Sequence, residues 1–112
     1  MDNSKEMDGM VLKGEIPQAV EKFFADNAQT KDVDGGVTNT KQEAIDKLTG
    51  FVGSIANVKE ISLLRSASEG DVSMSEFLFN FDMKDGSEVK WHEVIRRVWG
   101  NGKVVNEQYF QN

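Results

Sequence analysis

The C-terminal half of the chain constrains the fold most, because its apolar side chains recur every second residue between short glycine turns. After Asn57 this period predicts strands over residues 58–66, 72–84, 87–99 and 104–110. The pairs Asp85-Gly86 and Asn101-Gly102 are typical of two-residue type I′ hairpin turns, in which both central residues take positive φ. The pattern therefore predicts an antiparallel meander of four strands.

Helical spacing dominates the residues that precede this meander. Residues 1–12 predict a short or frayed helix. Pro17 suits the first turn of a clearer helix that begins at Ile16, and we expect that helix to end near Asn27. Residues 29–38 predict a short strand that runs into a turn.

A third helix is predicted from Thr40. Thr40 and Glu43 have the spacing of a capping box, and the apolar residues behind them repeat at helical intervals as far as Ile55. Helices followed by antiparallel strands predict an α+β fold with the helices on one face of the sheet.

Composition limits the function classes. A chain of 112 residues predicts one domain, residues 1–112. The net charge of −6 argues against nucleic acid and anionic membranes as partners. The absence of cysteine and the presence of a single histidine predict no disulfide, no thiolate nucleophile and no multi-histidine metal site. No phosphate-binding loop is apparent, so we expect no cofactor.

The distribution of apolar residues predicts a soluble cytoplasmic protein. No stretch approaches 18 consecutive apolar residues, and residues 1–6 are polar and acidic rather than typical of a signal peptide.

Two-residue turns at both hairpins would place Asp82 opposite Val89 and Arg96 opposite Glu107, which sorts the side chains into two faces. The more apolar face is expected to meet the helices and carries Phe77, Phe79, Phe81, Met83, His92, Val94, Arg96, Val98, Val105, Glu107 and Tyr109. The other face carries Glu76, Leu78, Asn80, Asp82, Trp91, Glu93, Ile95, Arg97, Trp99, Val104, Asn106, Gln108 and Phe110. A slip of one residue at either turn would exchange these assignments.

The second face predicts a protein interface. Trp91, Ile95, Trp99 and Phe110 together would form an apolar patch larger than a solvated surface usually shows. A homodimer that packs sheet on sheet is the simplest use of that patch.

The last hairpin resembles the corresponding hairpin of SnoaL-like proteins. Its strand ends at Trp99, its turn contains Gly102-Lys103, and the aliphatic pair Val104-Val105 precedes Glu107 and the aromatic pair Tyr109-Phe110. Residues 23–27 (FFADN) and Glu76-Phe77 support the resemblance. SnoaL-like proteins belong to the nuclear transport factor 2-like (NTF2-like) superfamily, which also contains ketosteroid isomerase.

The resemblance implies an α+β cone in which a curved, mostly antiparallel sheet closes on helices around a pocket, and it implies frequent dimers. It does not imply one activity, because the family contains cyclases, isomerases, dehydratases and ligand-binding domains. No catalytic acid of these enzymes matches a particular position of this chain.

A polar cluster on the helix-facing side is the candidate catalytic site. His92 has an ordinary pKa near neutrality and suits proton transfer, Glu107 is expected to pair with Arg96, and Tyr109 is a donor for an enolate oxygen. We assign the catalytic roles to His92, Glu107 and Tyr109, and ligand binding to Arg96, Phe77, Phe79, Phe81 and Val94.

Each of these residues also has a structural interpretation. His92 can be solvated, Arg96 and Glu107 can form a plain cross-strand pair, and Tyr109 can be an amphipathic core residue. If the faces are exchanged, Glu76 and Glu93 become the pocket carboxylates and the general-base candidates.

Three functions remain open from the sequence. The first is a small-molecule-binding domain with an apolar pocket between helices and sheet. The second is an isomerase, cyclase or dehydratase that transfers a proton next to a carbonyl without a cofactor. The third is a protein-interaction module that uses the sheet face.

Overall fold

Three helices cover one face of a six-stranded sheet in the computed structural model, which describes residues 2–111. The elements in chain order are α1 (Asp2–Leu12), α2 (Ile16–Phe23), β1 (Phe24–Lys31), β2 (Val37–Thr38), α3 (Lys41–Gly53), β3 (Ile55–Glu69), β4 (Val72–Met83), β5 (Glu88–Gly100) and β6 (Lys103–Gln111). The predicted α+β class is confirmed.

Local chemistry explains where the helices begin and end. The side chain of Thr40 accepts a hydrogen bond from the N–H of Glu43 (3.1 Å), which is the N-cap half of a capping box. The Glu43 carboxylate also reaches back, but it accepts from the N–H of Asn39 (2.7 Å), one residue before the N-cap. Helix α2 ends at Phe23 instead of near Asn27, because the backbone becomes extended at Phe24 and continues as β1. Likewise α3 ends at Gly53, and Ile55 already belongs to β3.

The sheet has the strand order β2-β1-β6-β5-β4-β3. All neighbouring strands are antiparallel except β1 and β6, which run parallel. This parallel pairing attaches the first strand beside the last and adds the β1–β2 hairpin to the predicted meander.

The turn between β4 and β5, at Asp85-Gly86, differs from the prediction. The N–H of Met83 donates to the carbonyl of Ser87 (2.8 Å), so the loop contains three residues, the last of which is Gly86 at φ +91°. Asp82 therefore pairs with Glu88 and not with Val89. This shift of one residue exchanges the two faces of β5 relative to β4.

The second turn has the predicted form but is followed by a bulge. Asn101 and Gly102 both have positive φ, and Trp99 pairs with Val104 as expected. The register then shifts by one residue, so that Val98 pairs with Asn106 and Val105 is the extra residue. Glu107 consequently lies opposite Arg97 and not opposite Arg96.

These two shifts correct the predicted faces. The helix-facing side of the sheet carries Phe77, Phe79, Phe81, Trp91, Glu93, Ile95, Arg97, Trp99, Val104, Glu107 and Tyr109. The assignments of β4, Glu107 and Tyr109 agree with the prediction, whereas those of His92, Val94, Arg96 and Val98 are wrong, because these four residues lie on the outer face. Val105 is exposed at the bulge.

The aromatic patch that suggested a homodimer is mostly core. Trp99 packs edge-on against Phe23 with ring centroids 6.0 Å apart, and Trp91 stacks on Phe51 of α3 at 5.3 Å. Ile95 is buried, so Phe110 alone of the four residues lies on the outer face. The homodimer remains a prediction, although this part of its basis is removed.

The hydrophobic core occupies the space between the helices and the sheet. Its buried helical residues include Met7, Val11, Val20 and Phe23, which belong to one buried cluster with the phenylalanines of β4. None of the helices between residues 2 and 111 combines the length and the apolar character needed to cross a bilayer.

Candidate functional site

A cavity of about 460 Å³ lies between the helices and the inner face of the sheet. Most of its wall is aliphatic or aromatic, and the apolar lining consists of Met7, Val11, Ile16, Ala19, Val20, Val33, Ala44, Leu48, Phe51, Phe79, Phe81, Trp91 and Ile95. Such a wall suits a small molecule with a largely apolar body.

The exposed residues of the lining belong to the β1–β2 turn and to α3, so we place the mouth of the cavity between these two elements. Asp32, Val33 and Asp34 of the turn belong to the lining, and Val33 is 51% exposed. Lys47 of α3 also belongs to the lining and forms an ion pair with the Asp32 carboxylate. At the mouth, the charge of Lys47 is therefore already neutralised by Asp32.

The floor contains a buried arginine between two carboxylates. Arg97 is 1% exposed; its Nη1 lies 2.6 Å from Oδ1 of Asp8, and its Nε lies 3.1 Å from Oε2 of Glu107. These two carboxylates raise the pKa of Arg97 against the opposing effect of burial, so its charge is retained. One guanidinium is thereby shared by two acidic groups.

Helix α1 supplies part of this floor. Asp8 also accepts a hydrogen bond from the Ser75 hydroxyl (2.6 Å). Ser4, one turn earlier, donates to the Ser73 hydroxyl (2.9 Å), which also accepts from the indole N–H of Trp99 (2.9 Å). Because residues i and i+4 share one helix face, a single polar stripe of α1 is bonded to β4 and β5.

Tyr109 extends the network into the cavity. Its hydroxyl donates to Oε1 of Glu107, and both residues line the cavity. Burial and then the charge of Glu107 raise the pKa of Tyr109 well above its ordinary value. The hydroxyl therefore stays protonated at neutral pH and remains a donor.

Glu93 is a buried carboxyl group on the cavity wall. It is 7% exposed, lines the cavity, and accepts a hydrogen bond at Oε2 from the Gln111 amide (2.7 Å). Burial raises the pKa of Glu93 to about 7, while the Gln111 hydrogen bond opposes the shift. A carboxyl group with this pKa exchanges protons readily at neutral pH.

The structure brings together part of the predicted site. Phe79, Phe81, Glu107 and Tyr109 line the cavity, whereas Phe77 is fully buried beside Phe79 (ring centroids 5.3 Å apart) and outside the lining. The catalytic roles of Glu107 and Tyr109 and the binding roles of Phe79 and Phe81 stay predictions.

The other predicted residues lie on the outer face of the sheet, away from the cavity. His92 Nε2 is 2.5 Å from Oε2 of Glu76, whose Oε1 lies 2.7 Å from Nε of Arg65. Arg96 donates to the Gln108 side chain (2.7 Å), and Val94 pairs with Phe110. Within residues 2–111 no group of three or more histidine or acidic side chains could hold a metal ion.

Sequence reasoning missed Arg97 and Asp8, and it considered Glu93 only for exchanged faces. A signal for β5 was available, because Trp91, Ile95 and Trp99 share one period-two face with Glu93 and Arg97. If this apolar face had been placed against the helices, Glu93 and Arg97 would have been predicted to face the helices too. Asp8 gave no comparable signal beyond its helical spacing from Ser4.

Comparison with known proteins supports the fold. No protein-family model matches the sequence, and no curated protein is a significant match. Among solved structures, a proposed SnoaL-like polyketide cyclase from Mesorhizobium loti is 23% identical, with a TM-score of 0.86 over 97% of this chain and 96% of that one.

Two other structures have the same architecture at lower identity. An NTF2-like protein of unknown function from Burkholderia pseudomallei is 14% identical, with a TM-score of 0.83 over 100% of this chain and 89% of that one. An LEH-like epoxide hydrolase from M. tuberculosis is 12% identical, with a TM-score of 0.79 over 100% of this chain and 81% of that one. The chain therefore has the NTF2-like α+β cone fold that SnoaL-like proteins share.

Proposed function

We propose that this chain binds a small, largely apolar molecule in the cavity and transfers a proton at a carbon next to a carbonyl, with Glu93 as the acid–base group. The observation that carries the proposal is the position of Glu93: a buried carboxyl group with a pKa of about 7 on the wall of an apolar cavity of about 460 Å³. A general base is most effective when its pKa lies near the working pH.

The remaining polar groups of the cavity fit the same reaction. The Glu93 carboxylate would take the proton from carbon, and the electron pair of the broken C–H bond would move to the carbonyl oxygen. Tyr109 is the donor we assign to that oxygen, because its residue lines the cavity and its hydroxyl stays protonated. Its single O–H would turn from Oε1 of Glu107 to the ligand oxygen. Returning the proton from Glu93 to another carbon would complete an isomerisation.

Deuterium exchange tests this assignment. 2-Tetralone is small enough for the cavity and has acidic C–H groups next to its carbonyl. In D₂O these protons exchange for deuterium, so NMR would record the decay of their proton signals in the presence of the protein. We expect catalysed exchange that falls by about 10²-fold or more in Glu93→Gln. Glu88→Gln, a change in an exposed residue of the same strand, is the matched control and should exchange like the wild type. Binding without exchange would contradict the chemical step.

We also infer that the outer sheet face pairs two copies of the chain. Met74 and Phe110 on this face are 46% and 42% exposed. A two-fold dimer packed on this face would cover both side chains on each copy, because an isologous interface uses the same patch twice.

Light scattering tests the dimer. The wild type is expected at twice the chain mass and Phe110→Asp at the chain mass. Val37→Asp, which places the same charge at an exposed valine of β2, is expected to stay dimeric. A monomeric wild type would refute the inference and favour a different partner for the face.

A further inference from the structure

The charged groups of the cavity are not balanced. Lys47 at the mouth is paired with Asp32, and Arg97 in the floor is shared by Asp8 and Glu107. Each cation of the lining is therefore already matched by at least one carboxylate, and among residues 2–111 no cation pairs with Glu93, which lines the cavity. From this surplus we propose that the ligand of the cavity carries a positively charged amine on an otherwise apolar body. The proposal rests on the proposed function for the binding site and adds the chemical class of the ligand.

The formal charges show how far acidic groups outnumber basic groups around the cavity. The ionisable side chains of the lining, apart from Tyr109, are Asp32, Asp34, Lys47, Glu93, Arg97 and Glu107, and Asp8 lies behind Arg97. Two of these seven groups are basic and five are acidic. Burying negative charge without a partner is costly, and a cationic ligand would offset that cost.

The free oxygen of Glu93 is placed to meet such a ligand. Gln111 occupies Oε2, and no side chain or N–H group within residues 2–111 donates to Oε1. Because Glu93 belongs to the cavity lining, a ligand ammonium can approach the carboxylate from the cavity. A direct contact of this kind would pair both charges in a site with little water.

The aromatic wall supplies the second element of cation recognition. Phe51 and Trp91 stack with ring centroids 5.3 Å apart, and Phe79 and Phe81 lie at 5.8 Å, all four in the lining. The faces of aromatic rings carry negative charge density and attract ammonium groups, while the same rings bury the apolar body. An anionic ligand would be repelled by the carboxylates.

The pH dependence separates a cationic ligand from a neutral one. A cation favours the ionised form of Glu93, so its affinity should rise as the pH increases through about 7. A neutral carbonyl ligand would instead accept a hydrogen bond from the protonated form and bind better below pH 7. The charged and titratable groups that share the cavity lining with Glu93 are Asp32 and Asp34 from the β1–β2 turn, Lys47 from α3, Arg97 from β5, and Glu107 and Tyr109 from β6. Asp8 of α1 lies behind Arg97.

A matched pair of compounds tests the proposal. Benzyltrimethylammonium has a permanent charge, and neopentylbenzene is its neutral isostere, with carbon in place of nitrogen. NMR titration of the Trp91 indole N–H would measure both affinities. We expect the cation to bind at least tenfold more tightly at pH 8 and to lose most of that preference at pH 6. Glu93→Gln should bind both compounds alike, while Glu88→Gln should behave as the wild type.

Three outcomes of this titration would contradict the proposal. Equal or tighter binding of neopentylbenzene, or a preference that Glu93→Gln retains, would overturn it, and failure of both compounds to bind would also overturn the cavity as a binding site. The wild-type pH titration gives an independent result if the variant does not fold. Binding of the cation without exchange of 2-tetralone would refute the proton transfer and leave the ligand class intact.

Discussion

Arg97 and Glu107 lie directly opposite each other on β5 and β6, with Nε and Oε2 3.1 Å apart, and Asp8 closes the other side of the guanidinium at 2.6 Å. All three side chains are buried, so each charge depends on the others for solvation. This cluster joins α1 to the last hairpin beneath the cavity.

Removal of the arginine should destabilise the fold strongly. Arg97→Met leaves two buried carboxylates without a cation, and we expect the free energy of unfolding in urea to fall by roughly 3–5 kcal/mol. The triple variant Arg97→Met, Asp8→Asn, Glu107→Gln removes the charges together and should recover most of that loss. If the free energy of unfolding of Arg97→Met alone lies within about 1 kcal/mol of the wild-type value, the three charges are not energetically coupled.

Stability should decrease with rising pH because of Glu93. Its pKa is raised from 4.5 to about 7 in the folded state, so the folded protein holds this proton more tightly than the unfolded chain does. The resulting stabilisation is complete below pH 4.5 and is lost as the pH rises through about 7; it amounts to roughly 3 kcal/mol. Urea unfolding of the wild type and Glu93→Gln across pH 4–8 isolates this contribution, since the other groups are common to both. Parallel curves would contradict the assigned environment.

His92 and Glu93 are neighbours on β5 but lie on opposite faces of the sheet, so their substitution should have different effects on stability and on proton exchange. His92→Ala removes a hydrogen bond to Glu76 on the outer face, where the His92 side chain is 37% exposed, so we expect a stability change within about 1 kcal/mol and unaltered exchange of 2-tetralone. Differential scanning calorimetry and the NMR exchange assay measure the two effects. Loss of exchange in His92→Ala, with exchange preserved in Glu93→Gln, would return the acid–base role to the histidine.

The N-cap at Thr40 should contribute to the stability of α3. Thr40→Ala removes the acceptor for the Glu43 N–H and is expected to cost about 1 kcal/mol in urea unfolding. Thr49→Ala, at an exposed position within α3, should be neutral or slightly stabilising, because alanine has the higher helix propensity. Equal effects of the two substitutions would show that the cap does not stabilise the helix.

The sequence by itself determined the elements that depend on neighbouring residues. Pro17 at the start of α2, the N-cap of α3 at Thr40 and the turn at Asn101-Gly102 each act over a few residues, and all three were predicted and are found. The period-two pattern also placed the phenylalanines of β4 correctly toward the helices.

Only the tertiary structure decided which residues of β5 face the cavity. An Asp-Gly pair is compatible with loops of two or three residues, and the extra residue at Val105 has no local signature. One residue of register exchanges the faces of a strand, so Glu93 and Arg97 took the inner positions expected for His92 and Arg96. The packing of Trp91, Ile95 and Trp99 against the helices stabilises that register, and it involves residues far apart in the chain.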